Sequence, residues 1–379
     1  MSQTENPFLS LAAPWIAGLT PYVPGKPVSE LERELGISDS VKLASNENPL
    51  GPGSRARAAM DAVLAELGRY PDGAGFELRR TLAEHHDLSP TAVTLGNGSN
   101  DVLDLIARVF LQPGTESVFS EHAFAVYPIA IQSVGATARV ARARDYGHDL
   151  EAMAALVNDK TRVVWIANPN NPTGTWLAAE PLKSFIGSLP KTCVVVVDEA
   201  YTEYVAEPDF PDTTHWIETF PNLIVTRTFS KAHGLAALRV GYALSDPRLA
   251  DLLNRVRQPF NVNALAQAAA IAAINDREHV RASVEPCRDE ATDQCFRAAW
   301  TRLHPFGRQL CHGRLRPPGR AHQRGAAQAR CDRAPGRQLR DAEPSAHQHR
   351  AGVGERALHR RLRGRTSVMI ERLAIIGVG

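Results

Sequence analysis

Residues 225–244 read VTRTFSKAHGLAALRVGYAL. Taken with the three residues before it, the segment opens as NLIVTRTF, an apolar run of strand length. Lys231 stands in a Ser-Lys pair just past the end of that run, and it is the last lysine of a 379-residue chain. A solvated lysine belongs on a charged helix face. This one lies between an apolar strand and a segment rich in Gly, Ala and Leu, with Arg239 eight residues on. Burial near a second cation disfavours the ammonium form, which lowers the pKa and makes the amine nucleophilic. A lysine escaping to solvent is the plainer alternative for this segment taken alone.

Outward from that stretch, further short apolar runs occur at ESVFS, TRVVWIAN, CVVVVDEA and RVGYAL. They are continuous rather than alternating, as in strands buried on both faces of a mostly parallel sheet. Helical patterns separate several of them. SRARAAMDAVLAEL reads as a helix with Ser54 at its N-cap. SNDVLDLIARVFL puts Val102, Leu105, Ile106, Val109 and Phe110 on one face, and EPLKSFIGSL is a third helix. ALAQAAAIAAINDREHV, residues 264–280, reads as a single strong helix. The fold class is therefore α/β, with ligands expected at the C-terminal ends of the strands. The expected division is an N-terminal arm and part of a small domain over 1–45, a large domain over 46–275, and the start of the C-terminal small domain over 276–300. An aberrant tail over 301–379 completes it.

The formal net charge of +2 points to neither nucleic acid nor a membrane surface as partner. The five cysteines form no C-x-x-C pair, so neither a zinc site nor a disulfide framework is expected. No basic, then apolar leader opens the chain, and no run approaches the roughly 20 apolar residues of a membrane span, so a cytoplasmic protein is expected.

Three more segments fall at expected strand ends. LGNGSND, residues 95–101, leads into a helix, where free N–H groups can receive an anion such as a phosphate; alone it could be a plain Gly-rich turn. NPNNPTG, residues 168–174, holds Asn171 between two proline-fixed turns. VVVVDEAY delivers Asp198 to the end of an apolar strand, where a carboxylate needs a cation, either a structural ion-pair partner or a cofactor's ring nitrogen. Together these residues ask for a ligand with a phosphate, a carbonyl, a basic ring nitrogen and a ring hydroxyl. Pyridoxal 5′-phosphate has all four.

SKAHGLAALRVGY, NPNNPTG, DEAY and GNGSNDVL resemble the motifs of fold-type I aminotransferases. KLASNENPLGP and RYPDGAGFELRRTLA are similar to the histidinol-phosphate aminotransferase branch, and the resemblance covers roughly residues 15–285. It implies a large domain with a mostly parallel sheet, a small domain, and a homodimer with sites at its interface. Lys231 would be the Schiff-base lysine and proton shuttle, and Asp198 would keep the pyridine nitrogen protonated. Asn171 and Tyr201 would bond the ring oxygen, Phe124 would stack on the ring, and Ser99, Asn100, Ser230 and Arg239 would hold the phosphate. Tyr70 would reach the cofactor phosphate of a partner subunit, and Tyr22 would close over the substrate. The implied reaction moves an amino group from glutamate to imidazole acetol phosphate. An aromatic amino-acid aminotransferase and a threonine-phosphate decarboxylase relative are the alternatives within the fold.

The resemblance stops in the C-terminal region, where an arginine that grips the substrate carboxylate is expected. Residues 301–365 contain 16 Arg and 4 acidic residues, and Leu, Ile, Val and Phe total 8. That is the composition of a chain that cannot build a core. An out-of-frame reading of a GC-rich gene explains it better than a nucleic-acid-binding tail does. The closing MIERLAIIGVG resembles the opening of a dinucleotide-binding protein such as prephenate dehydrogenase, but lacks the third glycine and the helix of a nucleotide site. A third reading of function follows: a cofactor-binding remnant that lacks its substrate clamp.

Overall fold

The computed structural model describes residue 6 and residues 8–22, 27–35 and 45–288. The tail expected over 301–379, and residues 289–300, lie outside the described residues. Seven strands form one sheet: β1 (Val93–Gly96), β2 (Glu116–Ser120), β3 (Thr137–Ala141), β4 (Thr161–Ala167), β5 (Val194–Asp198), β6 (Leu223–Thr228) and β7 (Gly241–Ser245). Their order is β1-β7-β6-β5-β4-β2-β3. Parallel pairing joins β3, β2, β4, β5 and β6, while β7 pairs antiparallel with both β6 and β1. Six strands therefore run one way and β7 runs against them. The α/β expectation with a mostly parallel sheet is met.

Ten helices accompany the sheet among the described residues. They are α1 (Val28–Leu35), α2 (Ser54–Val63), α3 (Phe76–His86), α4 (Ser99–Phe110), α5 (Val126–Ser133), α6 (Leu150–Leu156), α7 (Ala179–Ser188), α8 (Pro247–Val256), α9 (Ala264–Ile274) and α10 (Arg277–Arg288). Alternate strand residues face opposite layers, as the two-residue period of a strand requires. Val164, Ile166, Val195, Val197 and Val225 pack in a core with residues of α3, α7 and α9. Val163, Trp165, Val194, Val196 and Ile224 pack with residues of α4, α5 and α8. Both faces of the central strands are thus buried, which is why they read as unbroken apolar runs.

Two local readings are corrected. Gly53, in an extended conformation, is the N-cap of α2, and Ser54 is its first helical residue with no side-chain cap bond. The pattern over 264–280 is two helices, not one. α9 ends at Asn275, and the Asp276 carboxylate accepts from His279 N at 3.3 Å to start α10. An Asp at that position satisfies the free N–H groups of a new first turn and competes with continuing the old helix. No helix among the described residues is long and apolar enough to cross a membrane.

Candidate active site

The C-terminal ends of β1, β4, β5 and β6 and the start of β7 share one edge of the sheet, and the sequence motifs sit there. β5 ends at Asp198, which is buried. Its Oδ2 accepts from Tyr127 OH at 3.0 Å and its Oδ1 from Thr226 Oγ1 at 2.9 Å. Burial pushes the Asp198 pKa up, and these two hydrogen bonds together with the Ala200 N–H hold it back. Neutral donors steady the carboxylate without neutralising it, and the Lys231 amine also favours its charged form, so a cationic N–H is favoured beside it.

Lys231 follows β6 after Phe229 and Ser230. It is half-buried, and its Nζ donates to the Ser45 carbonyl at 2.9 Å. Burial lowers its pKa to about 8; Arg239 adds to the fall, while Glu47 and Asp198 oppose it. The ordinary value is 10.5. Nζ also lies 5.4 Å from the ring centroid of Tyr201. Tyr201 is buried, and burial raises its hydroxyl to about 12, so it is a phenol at neutral pH. Tyr22, half exposed at 51%, is close enough to influence that hydroxyl.

The anion pocket forms where α4 begins. Gly98, with φ 83°, precedes Ser99, the first residue of α4. A side chain at Gly98 would collide with the Arg239 guanidinium, and one at Gly241 would collide with the Ser99 backbone nitrogen. The two glycines thus let Arg239 and β7 close on the helix N-terminus. Arg239 Nη1 also donates to Ser230 Oγ at 3.3 Å. Two hydroxyls, a guanidinium and a helix N-terminus in one place suit a dianionic phosphate. Asn100, the next residue of α4, is exposed.

The remaining candidates are placed less directly. Phe124 packs edge-on against Tyr127, with centroids 5.9 Å apart, and so lies one side chain from Asp198. Asn171 is half-buried in the turn after β4. Its neighbours hold that turn: Asn168 Oδ1 accepts from Leu177 N at 2.8 Å, and Asn170 Nδ2 donates to His122 O at 2.9 Å. Tyr70 is 82% exposed and stacked on Phe260 at 4.8 Å. Its loop is tied through Arg257, which donates to Gly73 O at 3.0 Å, and through Asn261, whose Nδ2 donates to Asp101 on α4 at 2.8 Å.

Sequence reasoning missed Tyr127 and Thr226, the donors to Asp198. Thr226 carried a usable signal, as a polar residue in the apolar run LIVTRT. It also missed a buried strut behind the site. Arg227 donates to Glu199 Oε2 through Nε at 2.9 Å and Nη2 at 2.7 Å, and to Asp212 Oδ1 at 2.7 Å. Glu199 follows Asp198 and Arg227 precedes Lys231 by four, so the pair fixes the two strand ends that carry them.

The family described as aminotransferase class I and II matches residues 38–294. The chain belongs to the class I and II aminotransferases. Among them it belongs with the histidinol-phosphate aminotransferases. It is 60% identical over 278 residues to histidinol-phosphate aminotransferase 2 of Pseudomonas aeruginosa, covering 73% of this chain and 75% of that protein. It is 54% identical over 279 residues to histidinol-phosphate aminotransferase 1 of Nitrosococcus oceani, covering 74% and 75%. The crystal structure of the Sinorhizobium meliloti enzyme in complex with pyridoxal 5′-phosphate superimposes with a TM-score of 0.70 at 30% identity, covering 76% of this chain and 78% of that one. The family match ends just before the Arg-rich composition begins.

Proposed function

We propose that this chain binds pyridoxal 5′-phosphate and transfers an amino group between glutamate and imidazole acetol phosphate, the reaction that links histidinol phosphate with 2-oxoglutarate in histidine biosynthesis. The carrying observation is one constellation: a half-buried amine with its pKa lowered to about 8, beside a buried carboxylate and a phenol, next to a helix N-terminus that meets Arg239 and Ser230. The cofactor supplies an electron-withdrawing ring that acidifies the substrate Cα–H.

The protein's own groups do the rest. Lys231 Nζ, neutral in part near pH 8, would condense with the cofactor's carbonyl with loss of water and, once the substrate amine has displaced it, would take the proton from the substrate Cα and deliver it to the cofactor carbon that keeps the amino nitrogen. Asp198 holds the ring N–H cation. Tyr201 and Asn171 bond the ring oxygen, and Phe124 covers the ring face. The α4 N–H groups with Ser99, Asn100, Ser230 and Arg239 hold the phosphate. Tyr22 closes over the substrate from its position near Tyr201. The exposed Tyr70–Phe260 pair supports a homodimer in which Tyr70 reaches a second copy's phosphate, and a cytoplasmic setting fits a biosynthetic enzyme.

The test is turnover of purified protein with histidinol phosphate and 2-oxoglutarate, run beside phenylalanine, tyrosine and O-phosphothreonine. Preference for histidinol phosphate is expected. Preference for an aromatic amino acid, or release of CO2 from phosphothreonine, would overturn the substrate. The composition of residues 301–365 favours one second reading, a cofactor-binding remnant. It predicts cofactor uptake with no turnover of any of these.

A further inference from the structure

We infer that Asn46 is a positioning residue that fixes the direction of the Tyr201 hydroxyl proton, an inference that rests on the proposed function. Three observations meet at this side chain. Asn46 Nδ2 donates to Tyr201 OH at 2.7 Å in a buried contact. Its own Oδ1 is buried and has no partner among the described residues, and the residue is 9% exposed. Its backbone is left-handed, φ 52°, as is that of Ser45, φ 71°, whose carbonyl receives Lys231 Nζ. Two consecutive residues with side chains in this region are uncommon, and such backbones gather at functional sites.

The turn is stapled rather than loose. Asn48 Nδ2 donates to Ala232 O at 2.9 Å and to Ser283 Oγ at 2.8 Å, and its Oδ1 accepts from Leu50 N at 3.0 Å. Residues 45 and 46 are thereby pressed against the lysine loop. A carbonyl from one and an amide from the other touch the two groups proposed to handle protons and the ring oxygen.

A phenol carries one proton, and that proton prefers the plane of the ring, so it can point to one of two sides. An amide N–H on one side occupies a lone pair there and turns the proton to the other. Tyr201 therefore accepts from Asn46 and donates away from it, toward the ring oxygen of the cofactor. A merely space-filling buried amide would be expected to have both its ends satisfied. Here the donor is used, and the acceptor meets no partner among the described residues.

Direction can be separated from packing. Aspartate at position 46 keeps the volume and tolerates a left-handed backbone, but an ionised carboxylate only accepts, so the Tyr201 proton turns to it. Alanine removes the bond and frees the proton to choose. The measurement is the dissociation constant of pyridoxal 5′-phosphate for cofactor-free protein, with a thermal melt of each variant. Asn46→Ala is expected to weaken binding about threefold and Asn46→Asp about tenfold or more, although Asn46→Asp melts no lower than Asn46→Ala. In a Tyr201→Phe background both effects should shrink to within about twofold of that parent. A packing role predicts the reverse order, with alanine the worse, and that order would overturn the inference. A gap between Asp and Ala that persists without the Tyr201 hydroxyl would assign the effect to charge and overturn it too. If Asn46→Asp does not fold, the Asn46→Ala arm decides alone: its effect must vanish with Tyr201→Phe. Wild-type protein that takes up no cofactor refutes the proposed function and this inference with it. Wild-type protein that binds normally, with unchanged Asn46 variants, refutes the inference alone.

Discussion

Replacing Lys231 by methionine should stabilise the cofactor-free protein at neutral pH. Methionine keeps the length and flexibility of the aliphatic stem and removes the charge. The fold holds the Lys231 amine at about 8 rather than 10.5, chiefly through burial. That difference corresponds to ~3 kcal/mol of cost to the folded state while the amine is protonated. The bond to the Ser45 carbonyl is lost with the amine, and returns about 1.5 kcal/mol of that cost. The expected net gain for Lys231→Met is about 1–2 kcal/mol at pH 7. Its pH dependence has a definite sign. Below pH 8 both states carry the proton and the full cost is present. Between pH 8 and 10.5 the folded amine is neutral while the unfolded one keeps its proton, so wild-type stability from this group rises with pH. Wild type should recover about 2 kcal/mol by pH 9.5, so the advantage of methionine should be gone there, or slightly reversed. Urea unfolding of both proteins at pH 7 and pH 9.5, cofactor removed, gives the comparison. A variant less stable than wild type at pH 7, or a difference that does not change with pH, would refute the claim that this lysine is held against its own charge.

Asp198→Asn should leave the fold intact and lower kcat by about 10- to 100-fold, since a charge-assisted bond of this kind contributes about 1.5–3 kcal/mol; near-normal turnover at an unchanged melting temperature would make the carboxylate purely structural. Gly98→Ala should push the Arg239 guanidinium aside and strain a backbone with φ 83°, weakening cofactor affinity at least about tenfold for a loss of stability of about 1–2 kcal/mol. Cofactor titration checks it, and unchanged affinity would remove Arg239 from the anion pocket.

The central strands were legible because of where they sit. CVVVVDEA and NLIVTRTF are buried on both faces, so they carry no polar alternation to obscure them. β3, TARVA, is an edge strand with four of its five residues exposed, and it offers no apolar run. β1 is four residues long and was hidden beside its Gly-rich turn. The reversal of β7 was invisible because an apolar run does not encode direction. In the site, the motifs gave residues at the ends of strands, and those ends do converge. What the motifs could not give was pairing across the chain. Thr226 reaches Asp198 because β5 and β6 pair in a register that sets those two residues side by side. Tyr127 reaches it from α5, and Asn46 reaches Tyr201 across 155 residues. The helix break at Asn275–Asp276 was written in the sequence as an Asn-Asp pair, but the alanine-rich periodicity around it outweighed that signal.

Lys231 as the reacting amine can be tested in one measurement. The protein is loaded with pyridoxal 5′-phosphate, reduced with borohydride, digested and mapped by mass spectrometry. The fixed label is expected on Lys231, in the peptide that contains FSKAHGL. Label on Lys160, Lys183 or Lys191 instead, or protein that binds the cofactor yet fixes none of it, would contradict the assignment of this site.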